Sequence, residues 1–256
     1  MEKGLSAFAT DMLALLKLFL AVYATLLACY LVTGLVVTWL NRQRPERKIQ
    51  KDRVTSQAQS QRDLRQSVVS LAAIALSFTL GSWFYDQFGW GFRIKHMTVL
   101  NTVLSFIASM ALYDTWFYWL HRLIHHKALY KRVHRWHHMT TTPVVWSNNS
   151  DTLLDNCFLQ SYWLIAHFLL PISPVVLLVH KIYDQITGAV GHSGHEHGGM
   201  LFTPPSPLAS VTHHDLHHRY FLCNYSTHFT VWDRLMGTLY EGRDAELERK
   251  TETAAL

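Results

Sequence analysis

Charged residues are scarce in this chain. They make up 16% of its 256 residues, whereas hydrophobic residues make up 49% and aromatic residues 13%. Because roughly 25% of the residues in a soluble domain are charged, this balance favours a membrane protein with a polar portion over a soluble enzyme. The length suits one domain with a few spanning helices and one catalytic unit.

Cysteine is also scarce. The three cysteines, at positions 29, 157 and 223, lie far apart and form no CxxC pair. This argues against a thiolate zinc site, an iron–sulfur cluster and a disulfide framework. The sequence also lacks a GxGxxG dinucleotide motif and a CxxCH haem motif, so any redox activity would need electrons from a separate protein.

Acidic residues are fewer than basic ones, and the formal net charge is +5. Eight basic residues lie in one polar stretch, 41–67: Arg42, Arg44, Arg47, Lys48, Lys51, Arg53, Arg62 and Arg65. Such a stretch between apolar runs is typical of a cytoplasmic juxtamembrane segment that faces anionic lipid. A nucleic-acid reader would carry its basic residues on a folded module, often with aromatic stacking positions, so we expect no nucleic-acid partner.

Long apolar runs predict the membrane spans. Residues 12–40, 68–88 and 97–113 predict three of them. The first is too long for a signal-peptide core, so we expect it to be retained. A fourth apolar region, 157–190, contains two prolines and several polar residues, which predicts either a hairpin or a re-entrant pair.

The positive-inside rule fixes the predicted topology. With the basic stretch in the cytoplasm, each later hairpin returns the chain to that side. The fold class is therefore predicted as an all-α integral membrane protein, in which transmembrane hairpins carry a cytoplasmic helical cap. We expect an N-terminal helix and basic linker over 1–67, a catalytic domain over 68–240 and a polar tail over 241–256. The compact length favours a bacterial inner membrane over the endoplasmic reticulum.

Histidine is abundant, with 17 residues grouped mainly in three clusters. The clusters are HRLIH at 121–125, HRWHH at 134–138 and HDLHH at 214–218, and a fourth segment, GHSGHEH, covers 191–197. Residues three or four apart share one face of a helix, so each cluster predicts a compact set of imidazole donors. Together the three clusters contain eight such donors, listed as His121, His125, His134, His137, His138, His214, His217 and His218.

Eight ligands indicate two metal ions, because one transition metal accepts about six. Imidazole suits iron, zinc, copper and nickel, so ligand type alone does not choose the metal. Ligating imidazoles usually donate their other N–H to a carboxylate or carbonyl. Candidate carboxylates for this supporting role are Asp114, Asp155, Glu196, Asp215 and Asp233.

The remaining histidines favour a plainer interpretation. Four isolated ones are predicted as surface or hydrogen-bonded residues: His96, His167, His180 and His228. His126 and His213 extend two clusters, but their offsets point them around the helix. We expect these two to support the ligands or to be exposed.

In their order, the three clusters resemble the HxxxH, HxxHH and HxxHH boxes of the fatty acid hydroxylase / sterol desaturase superfamily. The resemblance covers about residues 114–240. The run DTWFYWLHRLIHHKALYKRVHRWHH is similar to the first two boxes, and GHSGHE resembles the HSGYD segment of C4-methylsterol oxidases. The last box, HHDLHHRYFLCNYSTHFTVWDRLMGTLY, has the NY and WDRxxGT elements.

Two departures concern the substrate. Residues 152–155 read TLLD where family members often carry HPxE, and His195 stands where the sterol enzymes carry tyrosine. The resemblance implies a fold with two non-haem iron ions and O2 as co-substrate. It implies that the eight clustered histidines and His192 are ligands, and we choose His195 over His197 as a tenth.

The implied reaction is hydroxylation or stepwise oxidation of an unactivated C–H bond in a lipid or sterol-like substrate. A desaturase would share the same centre. The electron donor would be a ferredoxin, a rubredoxin or cytochrome b5 with its reductase. A histidine-rich membrane protein for metal binding or transport is the alternative from another class. It is disfavoured because the histidine clusters follow the predicted spans instead of lying within them.

Overall fold

The computed structural model describes residues 2–88, 98–169 and 171–242. Within these ranges the chain forms α-helices, short 3-10 turns and no β-strand, as the all-α prediction requires. Predictions for His96, for the first residue of the run 97–113 and for most of the tail 241–256 lie outside the described residues.

The α-helices are numbered in chain order. They are α1 (Glu2–Gln43), α2 (Gln57–Phe88), α3 (Val99–Ile124), α4 (Lys127–Val133), α5 (Leu153–Leu159), α6 (Tyr162–Leu169), α7 (Pro174–Gly191), α8 (Gly199–Phe202), α9 (Val211–Tyr220) and α10 (Val231–Leu235). The 3-10 turns cover Pro45–Arg47, His137–Met139 and Val145–Ser147.

Two helices are long and apolar enough to cross a membrane. Among the described residues, they are Thr10–Gln43, 34 residues long, and Gln57–Gln87, 31 residues long. An 18-residue window within each has a mean hydropathy of 2.2 and 1.7, respectively. At 1.5 Å per residue each exceeds the roughly 30 Å hydrocarbon core of a bilayer. Leu20, Leu35 and Trp39 of α1 are more than half exposed, which fits contact with lipid.

The region 157–190 differs from a pair of spans. Helix α6 has 8 residues and is therefore about 12 Å long, too short to cross. Helix α7 has 18 residues and buries four polar side chains, His180, Lys181, Asp184 and Gln185. Of the two alternatives drawn from the sequence, the re-entrant pair fits these lengths.

Helix α3 extends well beyond the apolar run that predicted it. It begins with a capping box, in which the Thr98 hydroxyl accepts from the Asn101 N–H at 3.2 Å and the Asn101 side chain accepts from the Thr98 N–H at 2.7 Å. Capping of this kind satisfies two otherwise unpaired amide groups. The helix continues to Ile124 and so carries the first histidine cluster to its C-terminal end.

An apolar core joins α1, α2, α3, α6 and α7. Its fully buried members include Leu26, Tyr30, Ile74 and Trp163. The segment that follows the second histidine cluster packs against this frame. The carbonyl oxygen of Trp146 accepts from the Tyr30 hydroxyl at 2.7 Å and from the Ser67 hydroxyl at 3.0 Å.

A buried carboxylate on α2 fixes the same segment from a second point. Asp63 is inaccessible to solvent. Its two oxygens accept from the Ser150 hydroxyl at 2.9 Å and the Thr140 hydroxyl at 2.6 Å. The long helices therefore hold residues 140–150, which contain little regular structure, in a defined position next to the second histidine cluster.

Gly34 allows α1 to approach this segment closely. A Cβ atom at Gly34 would overlap the Trp146 ring, whereas a Cβ at Gly191, the last residue of α7, meets nothing within 4 Å.

We expect Gly34→Ala to destabilise the fold by about 1–3 kcal/mol, as overpacking does. Thermal unfolding in detergent should show a lower Tm. Gly191→Ala is the matched control, and an equal Tm for Gly34→Ala and the wild type would refute the close contact.

Candidate metal centre

Nine buried or half-buried histidines converge in two groups within the described ranges. Group A is His121, His125, His134, His138 and His217, and group B is His137, His192, His214 and His218. Inside each group, the potential ligand atoms all lie within 4.8 Å of one another. The eight histidines of the three clusters and His192 are all included.

Local structure explains how each cluster supplies its side chains. His121 lies in the last turn of α3 and His125 is its C-cap. Helix α9 begins where the Ser210 hydroxyl accepts from the His213 N–H at 3.2 Å, so the third cluster is helical from its first histidine. His217 of α9 belongs to group A, whereas His214 and His218 belong to group B. The single short helix thus supplies ligands to both groups.

Most Nδ1 atoms of the grouped histidines lie within hydrogen-bonding distance of a fixed acceptor. Main-chain carbonyl oxygens face Nδ1 of His121 (Tyr225, 2.7 Å), His217 (Cys223, 2.7 Å), His218 (Thr140, 2.9 Å) and His192 (Gly188, 3.0 Å). A carbonyl oxygen can only accept, so each Nδ1 carries the proton. A neutral imidazole then presents the lone pair of Nε2 to the centre of its group.

Burial keeps these imidazoles neutral. It lowers the pKa of His121 to about 4 and that of His192 to about 3, and it holds the pKa of His217 and His218 well below the usual value. The neighbouring histidines add to the effect. At neutral pH the Nε2 atoms are therefore unprotonated and able to bind a metal.

The Nε2 atoms face one another at short range. His121 and His134 are 3.0 Å apart, and His217 and His138 are 3.1 Å apart. These contacts cannot all be hydrogen bonds, because the imidazoles with their proton on Nδ1 have none on Nε2. Facing lone pairs repel, so the arrangement needs a cation between them.

Group B has the clearer geometry. Its Nε2 atoms form a closed four-membered ring with sides of 3.1 Å (His137–His218), 3.1 Å (His218–His214), 3.1 Å (His214–His192) and 3.4 Å (His192–His137). With metal–nitrogen bonds of about 2.1 Å, neighbouring ligands at right angles lie about 3.0 Å apart, and tetrahedral ligands about 3.4 Å apart. Three sides match the right-angle arrangement. The residues therefore fit a metal with right-angle coordination, square-planar or octahedral, better than tetrahedral zinc.

Two carboxylates lie directly behind the ligands. Asp155 Oδ2 is 2.8 Å from His134 Nδ1, which is the supporting position proposed for it. Asp151 Oδ1 is 2.9 Å from His137 Nδ1, and this residue was not identified from the sequence. The one feature of the sequence that could have indicated Asp151 was its spacing of four residues from Asp155. Each group thus has its own carboxylate.

The other proposed carboxylates have different neighbours. One Asp114 oxygen accepts from three consecutive main-chain N–H groups, those of Thr227, His228 and Phe229, at 2.8–3.3 Å. Glu196 accepts from the Thr212 hydroxyl, and Asp215 accepts from Gln50 Nε2 at 2.9 Å. These contacts fix loops around the groups and do not involve the ligand imidazoles.

Asp233 supports the third cluster indirectly. It accepts from the main-chain N–H groups of Tyr225 and Ser226 at 2.9 and 3.0 Å, and from His213 Nε2 at 3.1 Å. These donors hold the pKa of Asp233 well below its usual range. His213 therefore supports the site, which is one of the two alternatives expected for it. His126 is exposed, which is the other alternative, and its side chain caps α4.

His195 lies outside both groups. Its Nδ1 is 3.2 Å from the Ser193 carbonyl oxygen, and its ring stacks on that of His197 with 5.9 Å between centroids. The Nε2 of His197 is 2.7 Å from Asn41 Oδ1. Neither His195 nor His197 belongs to the two groups of nine histidines. A tenth ligand from this segment therefore stays a prediction, and the geometry does not favour it.

A cavity of about 380 Å³ adjoins both groups. His121 and His134 of group A and His137, His192 and His214 of group B line it. Phe117, Leu159 and Val211 add apolar wall, and the exposed side chains of Met200 and Leu201 lie at its edge. The volume is within the range of about 300–1,000 Å³ that is usual for small-molecule sites.

The role of Asp155 can be tested directly. Asp155→Asn removes the carboxylate behind His134, and we expect about 10- to 100-fold weaker metal binding at group A, because such partners orient the ligand and raise its basicity. Competition with a chelator would measure the affinity. Asp52→Asn, at an exposed position, is the control. Equal affinities for the two variants would exclude the role.

Comparisons with known proteins connect this centre to a family. A model of the fatty acid hydroxylase family matches residues 106–238. Human lathosterol oxidase is 34% identical over 141 residues, which cover 55% of this chain and 46% of that protein. Methylsterol monooxygenase 1 of Rattus norvegicus is 28% identical over 222 residues, which cover 80% and 72%. A Delta(7)-sterol 5(6)-desaturase of Gibberella zeae is 29% identical over 153 residues, which cover 60% and 44%.

The chain spans about half the length of the lathosterol oxidases that it matches. No solved structure matches it. The family model covers more than half of the chain and includes all nine grouped histidines. This protein therefore belongs to the fatty acid hydroxylase family.

Proposed function

We propose that this protein is a membrane-bound di-iron oxygenase. It uses O2 and external electrons to hydroxylate, or oxidise stepwise, an unactivated C–H bond of a lipid or sterol-like substrate. The observation that carries the proposal is the pair of histidine groups, five of whose nine members line one cavity. Sterol oxidases and a methylsterol monooxygenase among the relatives support the same class of substrate.

The ligand set supports iron as the metal. Imidazole suits several metals, but the right-angle spacing in group B disfavours tetrahedral zinc and is compatible with octahedral iron. Bound iron would supply the activation of O2 and the removal of hydrogen from a C–H bond. The protein residues hold the nine nitrogens in place and limit the access of water, since seven of the nine histidines are at most 6% exposed.

The edge of the cavity supports entry of an apolar substrate. Met200 and Leu201 are 68% and 50% exposed and also line the cavity. Apolar side chains at such a position fit a protein that takes its substrate from the bilayer. The active site would then lie where the catalytic domain, 68–240, meets the membrane surface.

Contacts between two distant segments support a cytoplasmic active site. Within the basic stretch, the Ile49 N–H donates to the Gly194 carbonyl at 3.0 Å and the Arg47 carbonyl accepts from the Glu196 N–H at 3.0 Å. The basic stretch and the segment after His192 therefore lie on the same side of the molecule. If the positive-inside rule places the former in the cytoplasm, the metal centre is there too.

The electron donor would be a separate ferredoxin, rubredoxin or cytochrome b5 with its reductase. The proposed compartment is a bacterial inner membrane, as predicted from the sequence, although the relatives named above come from mammals and a fungus.

Desaturation with the same centre is a second candidate function, because one relative is a sterol desaturase. Metal transport is disfavoured, since α1 and α2 contain no histidine.

Metal content and activity test the proposal together. We expect purified protein to bind two irons per chain, and His217→Ala or His214→Ala to lose about one of them, because each removes a ligand from a different group. Lipid extracts from cells that express the wild type should contain products with one added oxygen or two fewer hydrogens. Both variants should form none of these products.

His126→Ala is the control, because His126 is exposed and outside both groups. His195→Ala decides the tenth ligand: retention of two irons would remove His195 from the set. An active protein without iron, or activity that survives the loss of iron, would overturn the proposal.

A further inference from the structure

The cavity has a polar wall that is separate from the histidine groups. On α7, Lys181 Nζ donates to Asp184 Oδ2 at 2.7 Å and to Gln160 Oε1 at 3.2 Å. Lys181 is 1% exposed and Asp184 is 8% exposed, yet Asp184 lines the cavity. Asp184 thus neutralises the lysine charge. Its carboxylate also interacts with the Tyr113 side chain, and its other oxygen, Oδ1, faces His228.

His228 lies beside this ion pair. It is 5% exposed and lines the same cavity. Its main chain is fixed, because its N–H donates to Asp114 at 2.8 Å and its carbonyl accepts from the Ala209 N–H at 2.9 Å. Its Nε2 has no hydrogen-bond partner in the part of the chain that the structure describes, and lies 3.6 Å from Asp184 Oδ1.

The separation of these two atoms has a specific consequence. At 3.6 Å they are too far apart to hydrogen-bond to each other. One oxygen atom can lie beside them at about 2.8 Å from both Asp184 Oδ1 and His228 Nε2, which is within the normal range for hydrogen bonds. A hydroxyl group matches both sides, because it can donate to the carboxylate oxygen and accept from an Nε2–H.

Packing alone does not account for an imidazole at this position. The rings of Tyr113, His180 and Tyr183 surround His228, with centroids 5.5–5.6 Å away. A phenyl ring would make similar contacts without burying an unpaired polar atom, which is unfavourable. His180 does not supply the missing partner. Its Nδ1 is paired with the Ser109 hydroxyl at 2.8 Å, and its Nε2 also has no hydrogen-bond partner among the described residues.

We propose that Asp184 and His228 bind a hydroxyl group of the lipid substrate, so that the protein acts on a lipid alcohol and not on a free fatty acid. This inference rests on the proposed function. A carboxylate in the same place could not donate a hydrogen bond to Asp184, because an ionised carboxylate only accepts, and the nearby cation, Lys181, is already paired with Asp184. With the hydroxyl held there, the carbon skeleton would extend along the cavity, and its length would fix which C–H bond reaches the histidine groups.

Binding to matched probes tests the proposal. The iron-loaded full chain in detergent is titrated without O2, and ligand-induced thermal shifts are measured. One pair of probes is lathosterol and its analogue with hydrogen in place of the hydroxyl. The other pair is a linear alcohol and the fatty acid of equal chain length. We expect at least one alcohol to bind about tenfold more tightly than its partner, as loss of one or two buried hydrogen bonds requires.

Variants at His228 locate the effect. His228→Phe should abolish the preference for the alcohol, and His228→Gln should restore part of it, since an amide N–H can donate. His126→Phe makes the same change at an exposed position that does not line the cavity; it is the control and should keep the preference. Iron content and Tm near those of the wild type would show that His228→Phe is folded.

The outcomes separate this inference from the proposed function. If neither alcohol is preferred, as water between Asp184 and His228 would cause, or if the preference survives in His228→Phe, the hydroxyl site is refuted. Oxidation of both members of a pair at equal rates also refutes it and leaves the oxygenase intact. A preference in binding without any oxidised product supports the site and counts against the oxygenase.

Discussion

The imidazole nitrogens of nine histidines converge on two small volumes, and most of the structure around them serves this arrangement. Nitrogen atoms about 3 Å apart with lone pairs facing each other repel, and burial prevents protonation from relieving the repulsion. A bound cation turns the same arrangement into a stable one. The free energy of folding and that of metal binding are therefore coupled.

Main-chain carbonyls and buried carboxylates keep the imidazoles in this orientation. The carbonyls of Tyr225 and Cys223 lie in the loop after α9 and fix ligands on α3 and α9. That loop has no regular structure of its own, so Asp233 and Asp114 hold it by accepting its main-chain N–H groups. Each buried carboxylate thus replaces the hydrogen bonds that a helix or sheet would supply.

The long helices contribute at a distance. Asp63 and Ser67 on α2 and Tyr30 on α1 bind the segment 140–150, and that segment contains Thr140, whose carbonyl fixes His218. The helices that are candidates for membrane spans are therefore part of the support of the metal centre. The positions of the ligands thus depend on the packing of these helices.

The sequence by itself determined the chemistry of the centre. Histidines three or four residues apart share a helix face, and their number indicated two metals. It also predicted the helical class and three apolar spans, of which two, in α1 and α2, are long and apolar enough to cross a membrane among the described residues. The family resemblance was confirmed by the family model. These features follow from local periodicity and composition, which are fully contained in the order of the residues.

Only the tertiary structure decided how the ligands are shared. Adjacent His137 and His138 enter different groups, as do His217 and His218, because the direction of each side chain depends on turns and on distant carbonyl groups. The same reason explains why Asp151 was missed and why His195 lies apart. Asp184 and His228 face each other although they are 44 positions apart in the chain, and no local pattern predicts such a contact.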